Sequence, residues 1–269
     1  MDAQQRKFFN VLVIGDSCID RYHYGVCERL SAEAPVPVLR HQETMERPGM
    51  CLNVLENLKS FGMSVKVITN SEKIFKERFV DIKSRQHIMR VDYGEHHLLK
   101  PLEHEKLKDV EFSDFDAIII SDYDKGFIKE PHVEMIINCV NSLKKQIPIF
   151  VDTKKKNISF FHRCILKVNE DEYNSLTHSA PESSHLIVTL GERGAMFEGQ
   201  HYDIPSVEIF DVSGAGDTFL SSLVEGFLRT GGELEKAIRF ANQCAAVVVS
   251  KSGTYAITRE DRKNYDICI

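Results

Sequence analysis

The sequence predicts a single α/β domain over residues 1–269, in which a central, mostly parallel sheet is flanked by helices and covered by a small β lid. Three observations predict this fold. From Phe9 onward, short apolar runs of strand length alternate with amphipathic stretches of helical period. Several of these runs end in polar residues, as expected where the strands of a parallel sheet reach a ligand. Two segments, 21–40 and 80–97, are instead rich in aromatic, β-branched and charged residues, which is typical of short strands outside the main sheet.

The first strand is predicted at 9–16, where an unbroken apolar run indicates burial on both faces. A helix is expected to open within 46–54 and to run to about Gly62. The later strands are expected at 65–69, at 117–126 with a polar carboxyl end, at 147–152, at 165–168 and within 186–195, where a tight turn follows the strand. The later helices are expected at 131–145, 219–228 and 234–249. This regular alternation is typical of βα units that build a parallel sheet.

The bulk composition excludes several classes of protein. A chain of 269 residues with 42% hydrophobic residues can bury one large core. The net charge of −6, without a dense basic stripe, argues against a nucleic-acid partner. The sequence shows neither a signal peptide nor an apolar run of the ~20 residues that span a bilayer, so we expect a cytoplasmic protein without a membrane partner. Its seven cysteines form no Cys-x-x-Cys pair and are expected to be reduced thiols.

One stretch has the features of a phosphate site. A short β-type lead at 206–210 is followed by Gly214-Ala215-Gly216-Asp217, which opens an amphipathic helix. The glycines allow a sharp turn and leave backbone N–H groups uncovered at the positive end of the helix. A carboxylate at Asp217 would be repelled by an anion there, unless it accepts a proton from a hydroxyl that attacks phosphorus. The alternative is an ordinary turn in which Asp217 caps the helix. Neither a dinucleotide fingerprint nor a P-loop fits the sequence.

The string from Asp211 to Phe219 resembles the signature D-[VT]-[ST]-G-A-G-D-[ST]-F of the PfkB (ribokinase-like) family of sugar kinases. The resemblance implies a ribokinase-like three-layer sandwich and an ATP-dependent kinase that also needs Mg²⁺. It implies that Asp217 is the catalytic base. The implied anion hole consists of Gly214, Ala215 and Gly216.

Further motifs resemble the nucleotide site of the same family. The residues that the resemblance assigns to the nucleotide are Asn169, Glu172, Thr189, Gly191, Gly194 and Asn242. The Asn-x-x-Glu motif at 169–172 is also implied to organise magnesium. One Glu and one Asn are sufficient for this, because magnesium keeps several of its waters. The alternative is a helix start in which acidic residues favour the dipole.

Four motifs are similar to the heptose-7-phosphate kinase branch of the family. They are Gly-Asp-x-x-x-Asp-Arg-Tyr from Gly15, Glu-Ala-Pro-Val-Pro-Val from Glu33, Arg-Pro-Gly-x-x-x-Asn-Val from Arg47 and Ser-Asp-Tyr-x-Lys-Gly from Ser121. The resemblance implies phosphorylation of heptose 7-phosphate to heptose 1,7-bisphosphate. The sugar-binding residues that it implies are Asp16, Asp20, Gly49, Asn53, Arg90 and Lys125.

The residues themselves leave some of these roles open. Asp16 and Asp20 follow the first strand, where carboxylates can hold a polyol, but either could simply end a strand or form a turn. Arg85 and Arg90 could bind a distal phosphate bidentately, or be solvated charges on an exposed strand. On the first hypothesis, replacing Arg90 with alanine raises KM chiefly for the phosphorylated sugar.

Two departures from the heptose pattern leave the substrate open. Met50 stands where a second glycine is usual, and 70–79 replaces about one helix and one strand. One alternative is therefore a kinase for another sugar or nucleoside. A second is a non-catalytic relative that binds nucleotide or sugar.

Three other segments carry expectations. Glu95-His96-His97 invites a metal site, but adjacent side chains on a strand point to opposite faces, so we set that interpretation aside. The run 154–156 of three lysines is interpreted as a solvated face. The exposed edges of the lid strands favour pairing with a second copy, so we expect a homodimer through the lid.

Overall fold

The computed structural model describes residues 8–95, 99–251, 253, 255–265 and 267. The strands are β1 (Asn10–Gly15), β2 (Ser17–Leu30), β3 (Pro37–Met50), β4 (Ser64–Thr69), β5 (Phe75–Asp81), β6 (Gln86–Tyr93), β7 (Ala117–Asp122), β8 (Ile149–Thr153), β9 (Cys164–Asn169), β10 (His185–Thr189), β11 (Ala195–Phe197) and β12 (Gln200–Tyr202). The helices are α1 (Cys51–Ser60), α2 (His104–Lys108), α3 (Glu130–Asn141), α4 (Glu170–Asn174), α5 (Ala215–Arg229), α6 (Leu234–Val249) and α7 (Arg259–Asn264), with 3₁₀ turns at Phe112–Asp114 and Gly191–Arg193.

Within the described residues, the main sheet has eight strands in the order β12-β11-β10-β9-β8-β7-β1-β4. The pairs from β4 through β10 are parallel, and only β11 and β12 run antiparallel. Strand β1 lies between β4 and β7, so the next two strands of the main sheet in chain order lie on opposite sides of it. This reversal of strand order is the usual place for a ligand in an open α/β sheet.

The sheet has a hydrophobic core on each face. Val11 and Val13 belong to a cluster that includes residues of α1, α5 and α6. Leu12 and Ile14 belong to a second cluster, which includes residues of α3. Alternate residues of a strand point to opposite faces, so both cores receive side chains from β1. Helices on both faces make the three-layer α/β fold that the sequence predicts.

The lid is a second sheet of four strands in the order β3-β2-β5-β6. Its strands extend beyond the expected segments 21–40 and 80–97, because β2 begins at Ser17 and β3 continues to Met50. The segment 70–79, expected to be a shortened connection, contributes most of β5. Its alternation of Phe75, Lys76, Glu77, Arg78 and Phe79 has the period of a strand. His96 and His97 lie outside the described residues.

The sheet edge agrees with the shortened sequence after residue 69. Strand β4 ends at Thr69 and is the last strand of the main sheet on its side. The chain then enters the lid strand β5 at Phe75. In the described part of the chain, no helix is both long enough and apolar enough to cross a bilayer.

Candidate active site

A cavity of about 200 Å³ opens at the carboxyl ends of the central strands. Five of the residues that line it were expected at the site, namely Asn169, Glu172, Gly214, Gly216 and Asp217. Five others were not among the expected site residues, namely Asp122, Tyr123, Asp152, Lys154 and Lys167. The parallel strands end together at this edge, so side chains distant in the sequence meet in one place.

Asp217 lies in the first turn of α5 and is almost completely buried. Its Oδ2 accepts a hydrogen bond from Asn53 Nδ2 at 2.8 Å, and its Oδ1 accepts one from the Tyr123 hydroxyl at 2.9 Å. Both donors are side chains of other elements rather than N–H groups of the helix. This geometry disfavours the interpretation of Asp217 as a helix cap.

The electrostatic environment suits Asp217 to proton transfer. Burial, assisted by the charge of the nearby Asp152, raises its pKa to about 6 against the opposing hydrogen bond from Asn53. A carboxyl with a pKa near 6 is mostly ionised at neutral pH and is a stronger base than an ordinary aspartate.

The loop before α5 makes the sharp turn that the glycines predict. Gly214 precedes the helix in the left-handed region, with φ of 82°, which glycine adopts readily. The Ala215 N–H donates to the Val212 carbonyl at 3.2 Å, so it is engaged within the loop. The N–H groups of Gly216 and Asp217 belong to the first turn, which a helix cannot satisfy internally. We therefore centre the anion hole on these two groups.

Two ion pairs border this loop on the side where the nucleotide is expected, one buried and one exposed at its lysine. Lys167 donates to Asp152 at 2.8 Å, and its Nζ lies 3.0 Å from where a Cβ on Gly216 would be. Lys154 donates to Glu172 at 2.9 Å, and 45% of its side chain is exposed. In the run 154–156, Lys154 and Lys156 are exposed, as the sequence predicts, whereas Lys155 turns inward and pairs with Asp122 at 3.0 Å.

Asn169 and Glu172 form a capping box at the start of α4, as the helix-start interpretation expects. Asn169 Oδ1 accepts from the Glu172 N–H, and Glu172 Oε2 accepts from the Asn169 N–H, both at 2.8 Å. Burial raises the pKa of Glu172, but the hydrogen bonds from Asn169 and Lys154 outweigh it, so the net shift is downward. Glu172 is thus an ionised oxygen ligand at the cavity, a donor type that suits magnesium held through waters.

The other expected nucleotide residues lie toward β10–β12, and none of them lines the cavity at Asp217. Thr189 ends β10 and donates to the Val168 carbonyl at 3.3 Å. Gly191 and Gly194 both have positive φ, and a side chain at Gly194 would collide with the Tyr202 carbonyl. Asn242 is buried in α6 and donates to that same carbonyl at 2.7 Å. Its amide nitrogen therefore connects α6 to β12.

Four expected sugar residues lie after β1, on the lid strands β2 and β3 and in α1. Asp16 Oδ2 accepts from the Tyr123 N–H at 2.8 Å, whereas its Oδ1 is buried without a hydrogen-bond partner among the described residues. Asp20 pairs with Arg78 at 2.5 Å. A side chain at Gly49 would collide with Asp20, so only glycine lets β3 approach this closely. Asn53, as described above, contacts Asp217 directly.

The two expected cations, Arg90 and Lys125, form ion pairs outside the cavity at Asp217. Arg90 lies on the edge strand β6 and forms two hydrogen bonds of 2.7 Å with Asp92. Lys125 pairs with the buried Glu95 at 2.6 Å. Neither lines the cavity at Asp217. Arg85, in the turn between β5 and β6, lines a separate cavity of about 320 Å³ beneath the lid.

Two other cations lie on the inner face of the lid, Lys76 and Arg78. Both alternate with outward residues of β5, and Lys76 is opposite Asp20 in the sheet. Lys76 is 8% exposed, and its Nζ lies 5.3 Å from the centre of the Tyr123 ring. Within the described residues, Lys76 has no carboxylate within 4.0 Å. The sequence does not point to Lys76, because the segment 70–79 is expected to be a shortened connection.

Met50 shows how the chain accommodates the loss of a glycine. It precedes α1 with φ of 56° and ψ of −132°, a region that glycine adopts readily and other residues avoid. Its side chain is buried against Cys18 and Ile74, and Tyr123 packs against this cluster. Packing therefore retains a conformation that the backbone of Met50 disfavours.

We expect Met50→Gly to change the free energy of unfolding by less than about 1–2 kcal/mol. The lost burial of about 1.5–3 kcal/mol is offset by relief of about 1–3 kcal/mol of backbone strain. Met50→Ala is the matched control, because it loses the same packing without that relief and should be less stable. Urea denaturation measures both. Equal destabilisation of the two variants would contradict the account of strain.

Known proteins resemble this chain in sequence. The family model described as "pfkB family carbohydrate kinase" matches residues 83–261. The chain is similar to the "Bifunctional protein HldE" of a Nitratiruptor species, with 32% identity over 95% of this chain and 64% of that protein. It is also similar to the protein of that name from Pseudomonas syringae pv. tomato, with 31% identity over 92% of this chain and 61% of that protein. The chain thus spans less than two thirds of the length of these curated relatives.

Solved structures share the fold at low sequence identity. Phosphofructokinase-2 from Escherichia coli, in complex with potassium, superposes with a TM-score of 0.73 at 15% identity, covering 96% of this chain and 98% of that one. Ribokinase from Arabidopsis thaliana, complexed with ribose and ATP, gives a TM-score of 0.68 at 15% identity, covering 96% of this chain and 99% of that one. The ribokinase-like fold that the signature implies is thereby confirmed.

Proposed function

This chain belongs to the PfkB family of carbohydrate kinases, and from that premise we propose that it phosphorylates a sugar phosphate with ATP. The acceptor proposed is heptose 7-phosphate and the product heptose 1,7-bisphosphate, because four motifs are similar to that branch of the family. The observation that carries the proposal is the Asp217 carboxylate, buried at the start of α5 with its pKa raised to about 6.

In the proposed reaction, the acceptor hydroxyl gives its proton to Asp217 as its oxygen attacks the γ-phosphorus of ATP. The bond from that phosphorus to the oxygen bridging the β-phosphate breaks, and ADP leaves. The N–H groups of Gly216 and Asp217 stabilise the negative charge on the transferred group, and the Lys167 ammonium lies beside them.

Magnesium bound with ATP would supply further neutralisation of phosphate charge. Glu172 and Asn169 would hold the ion through water molecules, because both side chains already serve the capping box. The ion pair of Glu172 with Lys154 keeps that carboxylate ionised and directed at the cavity.

The sugar is proposed to bind between β1 and the lid. The unpartnered Oδ1 of Asp16 can accept a hydrogen bond from a sugar hydroxyl. Arg78 fixes the orientation of Asp20 through an ion pair with little solvent exposure. Asn53 holds Asp217 on the side opposite Tyr123.

The phosphate already carried by the sugar is proposed to bind Lys76. The ammonium is buried on the inner lid face, and one tyrosine ring separates it from Asp217. The sheet register places Lys76 between Asp20 and Asp92, but those carboxylates form their ion pairs with Arg78 and Arg90. A buried ammonium whose neighbouring carboxylates are already paired favours an anionic ligand. Arg90 suits this role less well, because Asp92 already occupies its guanidinium.

Two alternatives remain open to experiment. The side chain of Met50 packs close to Tyr123 and narrows the proposed sugar site next to the lid. A narrower site favours another sugar or a nucleoside as acceptor. The shortened edge after β4 favours a non-catalytic relative that binds nucleotide or sugar. The buried Asp217 with its two donors argues against that second alternative.

The test is ADP formation by the purified chain with ATP, magnesium and a panel of acceptors. We expect faster turnover with heptose 7-phosphate than with free heptose, ribose or a nucleoside. Equal turnover on ribose would contradict the proposal of a phosphorylated acceptor. ATP binding without ADP formation on any acceptor would favour the non-catalytic relative.

The lid is also proposed to pair with the lid of a second copy. Met89, Val91 and Tyr93 form one face of the edge strand β6, with 53%, 40% and 60% of their surfaces exposed. Opposite them in the sheet lie Phe79, Glu77 and Phe75, on the face away from Lys76. The charge of Glu77 is paired with Arg21 at 2.6 Å. A largely apolar outer face on an edge strand is typical of a homodimer interface.

We expect wild-type protein to be dimeric at micromolar concentration and Val91→Glu to be monomeric. A buried charge without a partner costs several kcal/mol, enough to dissociate an ordinary dimer. Light scattering measures both masses, and Tyr265→Glu, at an exposed residue after α7, is the matched control. A monomeric wild-type protein would rule out the lid dimer.

A further inference from the structure

Tyr123 lies where the three parts of the proposed site meet. Its hydroxyl contacts Asp217, and its backbone N–H donates to Asp16. Two ammonium groups lie near its ring, with Lys76 Nζ of the lid 5.3 Å and Lys154 Nζ 5.2 Å from the ring centre. Tyr123 therefore contacts both the lid and the segment that follows β8.

The Tyr123 hydroxyl is a hydrogen-bond donor to the base. Burial, followed by the charge of Asp217, raises the pKa of Tyr123 well above its usual value of 10. The phenol therefore remains protonated and points its hydrogen at Asp217 Oδ1, 2.9 Å away. Asn53 occupies the other carboxylate oxygen at 2.8 Å. Each oxygen of the base thus already has one protein donor.

The hydroxyl of the acceptor must reach the same carboxylate of Asp217. Proton transfer to a carboxylate requires the hydroxyl oxygen within about 2.6–3.2 Å of a carboxylate oxygen. Asn53, which donates to Oδ2, does not line the cavity, whereas Tyr123, which donates to Oδ1, does. We infer from this that Oδ1 is the oxygen on the cavity side.

We propose that Tyr123 is a positioning residue. Its hydroxyl binds Asp217 Oδ1, where the acceptor hydroxyl must bind, and so limits the access of water to the base. The sugar hydroxyl displaces it when the acceptor binds. The inference rests on the proposed function. The reaction that it suppresses is hydrolysis, in which a water oxygen bonds to the γ-phosphorus and its proton passes to Asp217. The bond to ADP breaks, and inorganic phosphate is the product. With the phenol on Oδ1, that oxygen already accepts one hydrogen bond, which weakens it as an acceptor for the proton of water.

The test is Tyr123→Phe, which keeps the ring and its packing and removes only the hydroxyl. ADP and sugar phosphate are measured in the same samples, with the acceptor present and absent. We expect ATP hydrolysis per sugar phosphorylated to rise at least about tenfold, because a positioned base contributes about 10²–10⁴-fold. Tyr123→Leu, which also removes the hydroxyl, should give the same uncoupling. Tyr265→Phe, which removes a hydroxyl outside the site, should not.

A second measurement separates positioning from a structural role. The hydrogen bond from Tyr123 lowers the pKa of Asp217, so its loss should raise that pKa. Carboxyl ¹³C NMR of Asp217 in wild type and Tyr123→Phe measures this shift without turnover. The acid limb of the kcat/KM profile should move to higher pH in parallel. A tyrosine that served only packing would move neither.

The outcomes distinguish the two proposals. If wild type phosphorylates a sugar but Tyr123→Phe and Tyr123→Leu leave the hydrolysis ratio unchanged, the inference is overturned and the proposed function stands. If wild type phosphorylates no acceptor, the proposed function fails and this inference fails with it. An increased ratio together with a raised Asp217 pKa supports the inference.

Discussion

Replacing Asp217 with asparagine should lower kcat by about 10²–10⁴-fold, the usual contribution of a positioned general base. Asparagine keeps the size of the side chain but cannot take the acceptor's proton. The fold should survive, because the Tyr123 hydroxyl can rotate to accept from the new amide while Asn53 still donates to its oxygen. Removing a buried negative charge should leave ATP binding intact or slightly tighter.

Steady-state kinetics and nucleotide Kd, measured side by side, test this expectation. Asp114→Asn, which changes an aspartate far from the cavity, is the matched control and should turn over like wild type. Turnover of Asp217→Asn at the wild-type rate would show that Asp217 is not the base. Loss of both folding and ATP binding would instead assign it a structural role.

Replacing Lys76 with methionine should raise KM for the sugar phosphate by about 10–100-fold, because a charge-assisted hydrogen bond contributes about 1.5–3 kcal/mol. Methionine has a similar length and tolerates burial, so packing on the inner lid face should be maintained. The kcat/KM for a free sugar should change little, since that substrate offers no phosphate to Lys76. The ratio of kcat/KM for the two substrates is the decisive measurement.

Two further variants, Lys76→Arg and Arg90→Ala, test which cation binds the phosphate of the sugar. The arginine variant keeps the charge and should recover most of the preference for the phosphorylated sugar. Arg90→Ala should have a smaller effect than Lys76→Met, because Asp92 already binds its guanidinium at a half-exposed site. A larger effect of Arg90→Ala would restore the sequence-based assignment of the distal phosphate to Arg90 and contradict the role of Lys76.

Most of the main sheet could be predicted from the sequence, because its strands are unbroken apolar runs. The strand β7 is expected at 117–126 with a polar carboxyl end and is found at Ala117–Asp122, the first part of that segment. The lid was harder to predict, because β5 mixes phenylalanine with charged residues along its length. A segment of that kind has a strand's period but lacks the apolar content that identifies a buried strand.

The sequence by itself determined the Gly214–Asp217 loop, its helix and the family, because those features arise within one contiguous stretch. Glycine sets the backbone conformation locally, and the helix start follows at once. The tertiary structure alone decided which side chains surround Asp217. Asn53 and Tyr123 reach it across 164 and 94 residues of chain, and Lys76 approaches Tyr123 from a different sheet. It also decided that Arg90 and Lys125 are paired with Asp92 and Glu95. Such pairings depend on how strand ends and lid meet in space, which no local pattern of residues encodes.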